Sequence, residues 1–118
     1  MPDPMVKVGL TRDSVCMADD IDAPHGGTVL VPGDASPIGI VTAIQRSGYL
    51  AYVGPDATWS VRIGATEILF GTRHGLDFAW PVADEPAIPA GDIGSLFLAY
   101  HQQTDPEELL RRMRAERP

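Results

Sequence analysis

Cysteine is nearly missing from this chain: Cys16 stands alone among 118 residues. One thiol excludes an internal disulfide and the paired-cysteine zinc sites. A chain without disulfides suits a reducing compartment, so a cytoplasmic location is expected. No apolar run approaches the ~20 residues needed to cross a bilayer, and no membrane partner is expected. The opening MPDPMVKV has no basic patch followed by an apolar stretch, so no signal peptide is expected. Cations are missing from Asp77 to Glu108, a stretch with seven acidic residues and neither lysine nor arginine. Phosphate backbones demand clustered cations, which argues against nucleic acid as a partner. The first sixty residues hold seven acids against Lys7, Arg12 and Arg46, and the whole chain carries a formal net charge of −7. Such an excess suits solubility, and it suits a basic protein partner through complementary fields.

Chemical motifs are equally scarce. Neither GxGxxG nor GxxxxGK[ST] occurs, so there is no glycine-rich phosphate cradle, and no GxSxG elbow or HExxH helix is present. Cys16 lies between Val15 and Met17, where a small buried hydrophobe is the ordinary reading. A nucleophilic role would require His25, His74 or His101 beside it in space. Aromatics make up only 7% of the chain, and most fall at alternating strand positions that read as core. Trp80, next to Pro81 at an expected sheet edge, is the one expected to be exposed, as an interface anchor.

What is present is a readable series of elements. Val6, Val8 and Leu10 share one face of an opening strand, and Thr28 to Val31 form a second between glycine and proline punctuation. Ser36 followed by Pro37 marks a helix start. Ile38, Ile40, Val41 and Ile44 supply its apolar stripe, and Gly48 its stop. Strands are expected over Tyr49 to Val53, in TWSVRI with Trp59, Val61 and Ile63 alternating, in EILFG, and in LDFAWPV with Leu76, Phe78, Trp80 and Val82 facing one way. Residues 95–102 fit either a strand or a helix. The strand is favoured because Asp105, Pro106 and Glu108 open a new helix directly afterwards with a D-x-x-E capping box. These elements predict one α+β domain over residues 1–118. Its expected form is two-layer, an antiparallel sheet of about five to seven strands with one or two helices packed on it.

The stretch SVCMADDIDAPHGG holds Asp19, Asp20, Asp22 and His25. The residue types suit a metal, but the spacing misses the calcium-loop pattern, with Pro24 falling where a third oxygen ligand belongs. The aspartates are therefore read as turn formers, and no metal or other cofactor is expected. Asp19, Asp20, Asp22 and His25, with Trp80 and the Asp84–Glu85 pair, are the residues expected to meet a partner.

The stretch VKVGLTRDSVCMADDIDAPH, with SGYLAYV, TWSV and YHQQTDPEELL, resembles a group of short bacterial proteins. These carry the same L-T-R-D-S-V start and D-x-D-A-P-H turn. Small acidic proteins of this size resemble immunity proteins of polymorphic toxin systems, which bind and silence a cognate toxin. The resemblance implies a binding protein without catalytic residues. The expected function is thus immunity or inhibition of a toxin by occlusion, through the loop Asp19 to His25 and the connection Asp84 to Asp92. A structural or adaptor subunit of a bacterial or phage-like assembly is the second expectation. A small metal-dependent enzyme using Asp20, Asp22 and His25 is the third.

Overall fold

A computed structural model of the chain describes residues 5–13, 26–50, 55–64, 66–82, 90 and 93–116. The elements run β1 (Met5–Arg12), β2 (Gly27–Pro32), α1 (Pro37–Ser47), β3 (Ala57–Ile63), β4 (Thr66–Arg73), β5 (Leu76–Pro81), β6 (Ser95–Tyr100) and α2 (Pro106–Ala115). Residues 95–100 are a strand, as the helix start directly after them favoured. Tyr49 and Leu50, expected to open a strand, lie outside the sheet and pack on the core instead.

The six strands form one sheet in the order β2-β1-β6-β3-β4-β5. Four neighbouring pairs are antiparallel, but β1 and β6 run parallel, with Leu10 opposite Leu96 and Thr11 opposite Phe97. The fold is therefore α+β with a mixed sheet, which corrects the expectation of a wholly antiparallel one. The cause is β6, which leaves the meander and inserts between β1 and β3. There it runs antiparallel to β3, with Val61 opposite Leu98, and so parallel to β1.

Helix α1 begins where Ser36 Oγ accepts from Gly39 N at 3.0 Å and ends at Gly48, whose φ of 79° is left-handed. Its 11 residues make a rod of roughly 16 Å. It approaches β2 near one edge of the sheet and β4 and β5 at the other. In a flat sheet β2 and β4 would stand roughly 19 Å apart, so the sheet curls around the helix as a half-barrel. The concave face buries Val8, Leu10, Val31, Trp59, Val61, Ile68, Phe70 and Leu98 against Ile40, Val41 and Ile44 of α1. Each such side chain contributes roughly 1.5–3 kcal/mol on leaving water. The ring of Tyr49 lies over Gly27, where a Cβ would stand 2.6 Å from it.

Alternation sends Thr58, Ser60 and Leu69 to the opposite, convex face, yet all three are buried. The segment leading into α2 covers them. Thr58 Oγ1 donates to Thr104 O at 2.7 Å, and Thr58 N donates to Gln102 O at 2.9 Å. The alternation of Trp59, Val61 and Ile63 does not make β3 one-sided, since its first five residues are buried on both faces. Asp105 caps α2 by accepting from Glu107 N at 3.1 Å. Arg114 closes the far end, donating to Val82 O at 2.8 Å and to Pro81 O at 3.2 Å.

Candidate functional site

Strand β5 is an edge of the sheet, as Pro81 implied. Its period of two places Leu76, Phe78 and Trp80 on the convex face, because Trp80 pairs with Leu69 and Phe78 with Gly71. Leu76 is 73% exposed. Phe78 and Trp80 are half-buried, their ring centroids 4.6 Å apart at a tilt of 39°. Trp80 lies at the expected sheet edge but is half-buried and not exposed.

Gln45 Nε2 reaches over from α1 and donates to Phe78 O at 2.9 Å and to Gly71 O at 3.2 Å, which ties the helix to the paired β4 and β5, and Pro81 has no N–H to offer at the end of the edge. On the α1 side the edge borders a shallow cleft of about 330 Å³, with Thr42, Arg46 and Asp77 among its walls.

A second cleft, of about 320 Å³, lies at the tip of the β4–β5 hairpin. The two-residue turn His74-Gly75 has positive φ at both positions, 55° and 79°, the hallmark of a type I′ hairpin. Asp56 holds this turn by accepting from His74 N at 2.7 Å, while Gly75 N donates to Pro55 O at 2.9 Å. Arg73 stands beside the turn, 3.1 Å from Glu107 and 3.6 Å from Asp105. This joins the hairpin to the start of α2. The cleft walls are polar and of mixed charge, with Asp56 and Asp105 facing the Arg73 guanidinium.

One arrangement has the ingredients of acid–base chemistry. Ser60 Oγ and His101 Nε2 are 2.8 Å apart. Burial lowers the pKa of His101, opposed by the nearby carboxylates of Asp13 and Glu67 and assisted by Arg112. A nucleophile must reach substrate, and Ser60 is 5% exposed. Asp13 is engaged in holding β6, accepting from Tyr100 N at 3.0 Å. His101 O accepts from Thr104 Oγ1 at 2.6 Å, and His101 N donates to Thr58 O at 2.8 Å. The cluster fastens β3 to the turn before α2 and is structural. Among the described residues no three His, Cys, Asp or Glu side chains gather to hold a metal.

Of the residues expected to meet a partner, only Trp80 falls among those described. Asp19, Asp20, Asp22 and His25 lie in 14–25, and Asp84 and Glu85 in 83–89, both outside the described residues. Comparison with protein-family models, with curated proteins and with solved structures finds no match for this chain. No helix among the described residues is long and apolar enough to cross a membrane.

Sequence reasoning passed over Met5, Leu30 and Phe97, each more than half exposed at 56%, 58% and 54%. The signal was available in the alternation. If Val29 and Val31 point inward, Leu30 points out, and if Leu96 and Leu98 point inward, so does Phe97 point out.

Proposed function

We propose that this chain is a binding protein of the inhibitor or immunity type, which occludes a basic protein partner such as a toxin domain. It acts by shape and charge and performs no chemistry of its own. The observation that carries this reading is the edge strand β5, where Leu76, Phe78 and Trp80 present a partly exposed apolar row. Tryptophan at a sheet edge is a typical energetic anchor of an interface. Phe78 and Trp80 lie in sequence inside the cation-free stretch from Asp77 to Glu108, and Asp84 and Glu85 follow closely. In space Arg46, Arg73 and Arg114 border the same strand, so it is the net charge of −7, and not the strand's immediate surroundings, that suits a basic partner.

The reading assigns separate kinetic roles. The acids steer encounter, so reversing Asp20 and Asp22 to arginine slows association and weakens its salt dependence. Trp80 holds the complex, so Trp80→Ala accelerates dissociation by roughly 30-fold, as loss of a ~2 kcal/mol anchor requires. The test co-expresses this chain with the product of the neighbouring gene and scores relief of growth arrest, then measures both rates on purified proteins. Relief that is lost in the Asp20/Asp22 and Trp80 variants, with folding intact, supports the reading. A neighbouring product that causes no arrest, or one relieved equally by every variant, refutes it.

A further inference from the structure

Helix α2 and its lead-in cover only part of the convex face, over β3 and β4. The other half, carried by β2-β1-β6, has ten outward positions by register, and eight of them are exposed. Met5, Leu30 and Phe97 are its large apolar side chains, and Lys7 is its single charge. None of the chain's sixteen acidic residues is among the ten. We infer that this face is where a second copy of the chain docks, forming a two-fold symmetric dimer.

Charge selects the occupant. Two copies of a −7 chain repel one another over acidic surfaces. They meet without that penalty where the contacting side chains include no carboxylate. The same face offers a basic partner no acidic complement.

Register supplies the symmetry. Gly9 lies at the centre of the face, level with Thr28 on β2 and Ser95 on β6. Two residues toward one end of β1, Lys7 pairs with Leu30; two residues toward the other end, Thr11 pairs with Phe97. Leu30 and Phe97 are therefore equidistant from Gly9 on opposite sides, roughly 16 Å apart along a diagonal. A two-fold axis through Gly9, in the plane of the interface and across that diagonal, lays Leu30 on the partner subunit's Phe97. By the same operation Phe97 lies on the partner subunit's Leu30, an isologous contact. The face is convex, and the small residues Gly9, Thr28 and Ser95 keep its crest low, which lets Leu30 and Phe97 on either side reach across to the partner. Strand β5 is at the far edge of the sheet and remains free in both copies, which makes this inference independent of the proposed function.

The experiment is sedimentation equilibrium over a concentration series, with Phe97→Lys and Leu30→Lys beside the natural chain. The natural chain reaches twice its 12.7 kDa mass. Each substitution raises the dissociation constant at least about tenfold, because it places a second cation beside Lys7 in a contact that holds no carboxylate to pair with it. Geometry is tested separately in a Cys16→Ser background with Leu30→Cys and Phe97→Cys on different chains. A short bismaleimide links the two variants when mixed and links neither alone. The cysteine changes serve equally if a lysine variant does not fold. A chain that stays monomeric throughout the series overturns the inference. So does a dimer that is indifferent to both lysines, or one whose single-cysteine variants link alone as readily as mixed.

Discussion

Replacing Gly71 by alanine combines two costs that the structure separates. Gly71 has a φ of 146°, and a Cβ there would collide with the Ala57 carbonyl across the β3–β4 ladder. The backbone conformation alone costs a non-glycine residue on the order of 1–3 kcal/mol. Relieving the collision forces β3 from β4 at the Thr58–Gly71 rung, at about 1 kcal/mol for each ladder bond lost. The total is roughly 3–5 kcal/mol, a large share of the ~5–15 kcal/mol that holds an ordinary domain together. In a domain of this size that lowers Tm by roughly 10–20 °C. Two controls isolate the terms. Gly75 has a φ of 79° with open space around its Cβ position, so Gly75→Ala carries only the left-handed cost of roughly 1–2 kcal/mol. Gly94 has open space and no positive φ, so Gly94→Ala changes stability by less than about 1 kcal/mol, in the stabilising direction. Urea unfolding of the three variants gives the order directly. If Gly71→Ala loses no more than Gly75→Ala, the close approach of β3 and β4 is misread.

Four further outcomes are expected. Burial holds the His101 pKa below its ordinary 6.5, so the unfolded chain binds the proton better. This contribution to stability is complete above the ordinary value and is lost as pH falls through it toward the folded pKa. His101→Gln should flatten the fall of the unfolding midpoint as pH drops below 6.5, relative to the natural chain. Leu69→Ala opens a cavity at a fully buried position and should cost roughly 2–5 kcal/mol by chemical unfolding. Ser36→Ala removes the bond to Gly39 N and should cost about 1 kcal/mol, with the slope of the urea transition unchanged. Arg73→Ala should cost under about 1 kcal/mol, because both of its ion pairs are solvent-exposed and screened.

Trp80 shows how far the site could be read in advance. Pro81 lacks a ladder donor, which confines its strand to an edge, and alternation then puts Trp80 beside Phe78 on one face. Both are local rules and both hold. The face of Leu30 and Phe97 needed a second fact, that neither of the described helices covers that half of the sheet. No local pattern carries it, since Leu69, equally apolar and outward-pointing, is fully buried.

The sequence by itself determined the elements. Ser36-Pro37 and Asp105-Pro106 set both helix starts, Gly48 the first helix's stop, and period-two alternation the strands, because capping, turn chemistry and pleat are decided within a few residues. Only the tertiary structure decided the order of the sheet. Strand β6 settles between β1 and β3, parallel to one and antiparallel to the other, and Leu96 and Leu98 would present the same alternation beside any neighbour. Which strands pair depends on where α1 and the inserted strand together bury the most apolar surface. That quantity belongs to the whole chain and to no segment of it.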